Sequence, residues 1–180
     1  MSRRSARLTG VAVVLVAVLA GCGDETPVGA PGCEGAAIVL VAQSVPGADL
    51  VPCWKELPGG WTVSEVDIGS SGTTVDLDSD RAGRDAAKFS YHGSCDVARL
   101  GRLPSSRDDV QMHEDIRSLA GGLDSDRFFV FGGGCVKLTF SFQEFDDISH
   151  AEALVDALVL VERAELNDEL ATTSDKFVLR

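Results

Sequence analysis

Residues 127–142 read RFFVFGGGCVKLTFSF, the segment with the clearest strand pattern in the chain. From Val136 to Phe142, apolar side chains alternate with Lys, Thr and Ser, which is the period of a strand with one buried and one solvated face. The three glycines at 132–134 suit a hairpin turn that needs positive φ. We therefore predict that 127–131 and 136–142 are paired antiparallel strands.

Further strand-like segments precede this hairpin. Apolar runs, or apolar and polar residues in alternation, predict strands at 36–42, 61–68, 73–78, 86–95 and 110–116. Prolines interrupt 44–57, which we interpret as a loop with one helical turn around Cys53, and 100–107 has no regular pattern.

From Ser149 onward the spacing of apolar residues changes from that of a strand to that of a helix. Apolar residues at 154, 155, 158 and 159 recur at helical spacing, which predicts a helix to about Leu170 with a possible break near Val161. The predicted class is α+β, an antiparallel sheet of five or six strands with a C-terminal helix layer.

The N-terminus has the format of a bacterial export signal. Arg3, Arg4 and Arg7 precede an uncharged apolar run over 8–19. This run is too short to cross a hydrocarbon core of ~30 Å as a stable helix. We therefore expect a signal peptide rather than a membrane-spanning anchor.

The apolar run ends in Leu19-Ala20-Gly21-Cys22, which resembles the lipobox of bacterial lipoprotein signals. The resemblance implies that residues 1–21 are removed and that Cys22 carries a lipid at the outer face of the cell membrane. Residues 23–32 contain three Gly and two Pro without an apolar period, so 22–32 reads as the lipidated cysteine and a flexible tether. Residues 33–180 then form a single globular α+β domain.

Four cysteines remain besides Cys22, and an even number in an exported chain predicts two disulfides. Three pairings are possible. We favour Cys33–Cys53, which brackets one N-terminal segment, and Cys95–Cys135, which joins two predicted strands of one sheet.

The charge balance is acidic and excludes some partners. The chain has 16 Lys and Arg against 28 Asp and Glu, and residues 1–21 hold three arginines and no acid, so the part after the signal has a net charge of −15. Such a surface is repelled by nucleic acid and by anionic headgroups. We expect no nucleic-acid partner, and contact with the membrane only through the lipid on Cys22.

Asp76, Asp78 and Asp80 resemble the start of an EF-hand calcium loop, in which acids at alternate positions surround a hard cation. The rest of the segment does not match an EF-hand loop, because Arg81 stands where that loop has a glycine and Ala87 stands where it has a bidentate glutamate. We interpret these residues as a polar strand edge, with a weak Ca²⁺ site as the alternative, in which Asp124 and Asp126 would take part.

The sequence contains three histidines, His92, His113 and His150, and no G-x-S-x-G nucleophile motif. We interpret these histidines as surface or strand residues, although a pairing of one of them with an acid and a serine would make a hydrolase. Trp54 and Trp61 flank the Pro58-Gly59-Gly60 turn, where core packing is expected and binding of a sugar or peptide is the alternative.

Three strings carry a further resemblance: VPGADLVPCWKELPGGW at 45–61, LDSDRAG at 77–83 and FGGGCVKLTFSF at 131–142. They are similar to a group of membrane-anchored or lipid-anchored proteins of high-GC Gram-positive bacteria. This resemblance implies a shared cysteine framework over most of the exported part, and it implies no particular activity.

The sequence therefore predicts a lipid-anchored extracytoplasmic module that binds an envelope protein, a lipid or a cell-wall fragment, with no catalytic residue and no cofactor. The alternatives are an envelope hydrolase with a histidine and an acid at its site, and a weak binder of divalent cations centred on Asp76, Asp78 and Asp80.

Overall fold

The computed structural model describes residues 29–119, 121–143 and 148–173, with side chains to residue 168. Cys22 and the predicted signal lie outside these residues. The described elements in chain order are α1 (Gly35–Ser44), β1 (Leu50–Trp54), β2 (Trp61–Gly69), β3 (Gly72–Ser79), β4 (Gly83–His92), β5 (Gly101–Leu103), β6 (Gln111–Ser118), β7 (Asp124–Phe131), β8 (Gly134–Ser141), α2 (Ile148–Ala157), β9 (Leu158–Glu162) and α3 (Arg163–Thr173). None of the described helices is long and apolar enough to cross a membrane.

The predicted α+β class is confirmed. An antiparallel main sheet has the strand order β2-β3-β4-β8-β7-β6-β5, and β1 pairs with β9 in a second, two-stranded sheet. The described main sheet has seven strands, more than the five or six predicted, because the short edge strand β5 lies in the segment interpreted as irregular.

Alternation along the strands gives the main sheet one core face. In the central strands this face is buried and apolar, and its members are Val75, Leu77, Phe89, Tyr91, Val136, Leu138 and Phe140. Helix α1, strand β1 and helix α2 cover this face, as three contacts show. Ser44 bonds Thr73 at 2.9 Å, Trp54 packs on Phe89 at 4.8 Å between ring centroids, and Glu152 pairs with Arg127 at 2.9 Å.

Both favoured disulfides are confirmed. Cys33 is bonded to Cys53 with a Cα–Cα distance of 5.0 Å, and Cys95 to Cys135 with 5.8 Å. The first closes a loop that contains α1. The second attaches the beginning of the β4–β5 connection to β8, on the solvated face of the main sheet.

Two predictions near the N-terminus were wrong. The apolar run 36–42 is part of helix α1 and not a strand, because its buried residues Ile38, Val41 and Ala42 recur at helical spacing while Leu40 is half exposed. The segment 44–57 contains strand β1 rather than a helical turn. Pro52 is tolerated there because each strand of a two-stranded sheet has an unpaired edge.

The predicted C-terminal helix is interrupted. Helix α2 ends at Ala157, five residues form strand β9, and α3 follows from Arg163. The run Leu158-Val159-Leu160-Val161 suits a strand, and it pairs with β1 from Trp54 to Val51. The break expected near Val161 is therefore a strand between two helices.

Candidate functional site

A pocket of about 230 Å³ lies between the main sheet and β9, and we call it the intersheet pocket. Its walls come from the β5–β6 connection, β6, β7, α2 and β9. Its apolar lining consists of Val110, Met112, Phe129, Val155, Leu158 and Leu160. Met112 and Phe129 are cross-strand partners on the core face of the main sheet, so the floor of the pocket is continuous with the core.

Four polar residues complete the lining: Ser105, Ser106, Arg107 and Asp156. Arg107 is held in place by its neighbours. Its Nε and Nη2 donate to the two carboxylate oxygens of Asp109 at 3.0 and 2.7 Å, and its Nη1 donates to the carbonyl oxygen of Leu160 at 3.0 Å. Because bidentate pairing fixes a guanidinium well, Arg107 attaches the β5–β6 connection to β9 and shapes the pocket.

The rim of the intersheet pocket is acidic. Glu162 lies 3.9 Å from Nη2 of Arg107, and the hydrogen bond from Arg107 holds the pKa of Asp109 below its usual range. Asp156 is exposed on α2 and has no ion-pair partner among the described residues. The carboxylates of Asp109 and Glu162 therefore lie within 4.0 Å of the Arg107 guanidinium, and Asp156 adds a third acidic group to the lining, so these acidic groups outnumber Arg107.

A serine and a histidine that are distant in sequence meet at a second place. Ser79 Oγ lies 2.8 Å from Nε2 of His150, and both residues are buried. Trp61 stacks on the His150 ring with centroids 4.6 Å apart, and its Nε1 donates to the His150 carbonyl oxygen. This arrangement joins β2, β3 and α2 at one end of the main sheet.

The hydrogen bonds of Ser79 favour a structural role for this pair. Its Oγ accepts the backbone N–H groups of Arg81 at 3.1 Å and Ala82 at 3.0 Å. A hydroxyl has two acceptor lone pairs and one hydrogen, so the hydrogen is left to donate to Nε2 of His150. A nucleophilic serine needs a lone pair directed at its substrate, and both lone pairs of Ser79 are already engaged.

The other two histidines lie on other elements. His92 on β4 contacts the Ser71 carbonyl oxygen at 3.0 Å through Nδ1. His113 on β6 is buried opposite Phe128, and neither of its ring nitrogens has a hydrogen-bond partner among the described residues. The three histidines are therefore not brought together.

The three aspartates that resemble the start of a calcium-binding loop, Asp76, Asp78 and Asp80, make separate contacts. Asp76 pairs with Lys88 at 2.8 Å, and Oδ1 of Asp78 accepts the backbone N–H of Asp85 at 2.9 Å across the β3–β4 turn. Asp80 approaches Arg81 at 4.0 Å. No group of three or more His, Cys, Asp or Glu side chains within 29–119, 121–143 and 148–168 is arranged to hold a metal ion.

Asp124 and Asp126 belong to an ion-pair cluster on the solvated face of the main sheet. Arg117 contacts both carboxylates, Thr139 donates to Asp126 at 2.6 Å, and Lys137 lies 3.5 Å from Asp126. Burial alone would raise the pKa of Asp126, but the hydrogen bonds from Thr139 and Arg117, together with the charges of Lys137 and Arg117, hold it below its usual range. These carboxylates are therefore already paired with cations of the chain.

The predicted core role of the two tryptophans is confirmed, since Trp54 and Trp61 are 1% and 5% exposed. No protein-family model, curated protein or solved structure matches this chain. The intersheet pocket was not predicted from the sequence. Its lining comes from five elements between 105 and 160, and none of them carries a motif.

Proposed function

We propose that this protein is an extracytoplasmic binding module of the cell envelope, held at the outer face of the membrane by a lipid on Cys22, and that it binds its partner in the intersheet pocket without catalysis. The observation that carries the proposal is the pocket itself. An apolar floor with a few fixed polar groups at its rim is the usual composition of a binding site.

The two disulfides support the proposed extracytoplasmic location. Disulfides persist in oxidising compartments and are rare in the cytosol. They agree with the export signal over 1–21 and with the lipobox-like sequence that ends at Cys22. The tether at 23–32 reaches roughly 30 Å when extended, which lets the domain and its pocket stand clear of the headgroups.

The Ser79–His150 contact is the observation that favours a hydrolase as the second candidate function. The two backbone N–H groups that bond Ser79 Oγ count against it. Replacement of Ser79 by Ala tests this candidate. If the protein is a hydrolase, the variant loses its cellular function while it stays folded and lipidated, and if Ser79 is structural, function falls only in step with stability.

The proposed cleavage of the signal, the lipid on Cys22 and the disulfides are tested by native mass spectrometry of the protein extracted from its own membranes without reduction. We expect a chain that begins at Cys22, is heavier by a lipid, and is lighter by four hydrogens, two for each disulfide. A Cys22→Ser variant should appear in the medium or the soluble fraction. A chain that retains residues 1–21, or wild-type protein without lipid, would contradict the proposal.

The pocket is tested by blocking it. Ser106 lines the intersheet pocket and is exposed, so Ser106→Trp adds bulk over the opening without removing a buried contact. We expect this variant to fold and be lipidated normally and to lose cellular function. Ser70→Trp, at the exposed β2–β3 turn, is the matched control, and an equal effect of both variants would reject the pocket as the site.

A further inference from the structure

The size of the intersheet pocket limits its occupant. Pockets for drug-sized ligands enclose about 300–1,000 Å³, and this one encloses about 230 Å³. The pocket therefore suits one apolar side chain better than a whole cofactor or an extended acyl chain. Val155 and Phe129 are almost fully buried while Met112, Leu158 and Leu160 are only partly buried, so the last three leave apolar surface for an inserted group.

The charges at the rim determine what flanks that side chain. Arg107 already gives three of its five N–H donors to Asp109 and to the Leu160 carbonyl oxygen, so the carboxylate of Asp109 offsets its positive charge. Asp156 lines the pocket from α2 and Glu162 lies beside Arg107, and both carboxylates are exposed. A cationic group gains from both of them, whereas an anionic lipid headgroup is repelled.

We infer that the intersheet pocket receives an apolar side chain of a partner protein from a peptide segment that has Lys or Arg next to that side chain. This inference rests on the proposed binding function and adds the chemistry of the partner. The apolar side chain supplies most of the affinity by burial, and the cation selects the segment through Asp156 and Glu162.

The test uses the lipidated, disulfide-bonded protein in neutral detergent and three capped pentapeptides, followed by calorimetry or nuclear magnetic resonance. The peptides are Gly-Lys-Phe-Lys-Gly, its charge-reversed form Gly-Glu-Phe-Glu-Gly, and Gly-Lys-Gly-Lys-Gly, which lacks the apolar anchor. We expect the first to bind at least about tenfold more tightly than either of the others, with an affinity that falls as salt is added.

The variants locate the binding. Asp156→Asn should weaken binding of Gly-Lys-Phe-Lys-Gly by about three- to tenfold, because one flanking cation loses its carboxylate. Asp67→Asn removes an exposed carboxylate from β2, at the opposite edge of the main sheet, and should leave the affinity unchanged.

Three outcomes would overturn the inference, and they separate it from the proposed function. Equal or tighter binding of the charge-reversed peptide would reject the cationic partner and leave the pocket as a binding site. Absence of binding by all three peptides at millimolar concentration would reject the peptide chemistry. Binding of Gly-Lys-Phe-Lys-Gly that survives Ser106→Trp unchanged would reject the intersheet pocket, and the proposed function with it.

Discussion

The hydroxyl of Tyr91 donates a hydrogen bond of 2.9 Å to the carbonyl oxygen of Leu50. Tyr91 lies on β4 in the centre of the main sheet, and Leu50 begins β1 of the two-stranded sheet. Both residues are buried, so this bond joins the two sheets within the core. The relative position of the sheets matters because β9, the partner of β1, forms one wall of the intersheet pocket.

Tyr91 is expected to lose its proton only at unusually high pH. Burial raises its pKa to about 12, and the opposing influence of Arg163 does not cancel that effect. In the unfolded chain the pKa is about 10, so the folded state loses stability between about pH 10 and pH 12, where only the unfolded state has released the proton. Tyr91 is the sole tyrosine of the sequence, so tyrosinate absorbance measures this group alone. A native midpoint near 10 would contradict the burial of Tyr91.

Arg163 is expected to be a major stabilising residue. Its Nε donates to the Ala48 carbonyl oxygen, and its Nη2 donates to those of Ala42 and Val45 at the end of α1. Arg163→Met should lower the free energy of unfolding by about 2 kcal/mol or more, since bonds from a charged donor are worth about 1.5–3 kcal/mol each. Denaturant unfolding measures the loss, and Arg99→Met at an exposed site is the control. Equal stability of the two variants would show that Arg163 does not hold α1 in place.

The Ser79–His150 pair is expected to behave as a structural bond. Ser79→Ala removes the hydroxyl that contacts Nε2 of His150 and that accepts two backbone N–H groups of a tight turn. The expected cost is about 1–3 kcal/mol of unfolding free energy, measured by thermal or denaturant unfolding. Ser70→Ala, at an exposed turn, should be neutral. If Ser79→Ala is as stable as the wild type, the bond has no structural role and the catalytic interpretation regains support.

Asp126 is expected to make the domain sensitive to acid. Its pKa lies below the usual value in the folded state, because burial is outweighed by the hydrogen bonds from Thr139 and Arg117 and the charges of Lys137 and Arg117 together. The stabilisation is therefore present above about pH 4, the pKa of an unfolded aspartate, and is lost as the pH falls through the folded value. Asp126→Asn should flatten this part of the stability profile, measured by denaturant unfolding at a series of pH values. Asp67→Asn, at an exposed position on β2, is the matched control.

Gly133 is expected to tolerate no side chain. Its φ is +66°, and a Cβ there would collide with the Gly47 carbonyl oxygen of the neighbouring loop. Gly133→Ala should therefore destabilise the domain by more than the ~1 kcal/mol of backbone strain alone. Gly93→Ala, where a Cβ meets open space, should cost little. Thermal unfolding of the two variants gives the comparison, and similar midpoints would contradict the close approach.

Sequence patterns correctly predicted the strands in which apolar and polar residues alternate, because this alternation shows that one face of the strand is buried. The strands β2, β3, β4, β7 and β8 lie where alternation placed them, and the glycine hairpin has the expected positive φ at Gly133. A short continuous apolar run has no alternation of apolar and polar residues, so its pattern does not distinguish a buried strand from a helix. For this reason 36–42 was assigned to a strand although it forms part of α1. Helical spacing likewise extended across 158–162, where a run rich in valine pairs with β1 and forms a strand.

The sites depend on contacts that no local pattern contains. Ser79 and His150 are 71 residues apart, and the carboxylates at the pocket rim come from the β5–β6 connection, α2 and β9. Only the folded arrangement brings them together. The cysteine pairs were predicted from their positions along the chain: Cys33 and Cys53 bracket one N-terminal segment, and Cys95 and Cys135 lie in segments that read as strands of one sheet.

The Cys33–Cys53 bond also determines how a mechanical load would enter the domain. A pull on the chain before Cys33 passes through the sulfur–sulfur bond to Cys53 and is resisted by the ladder between β1 and β9. Helix α1 lies inside the closed loop and outside this path, so it carries no tension. A load on β1 therefore reaches β9, which forms one wall of the intersheet pocket, and it also reaches the main sheet through the Tyr91–Leu50 bond.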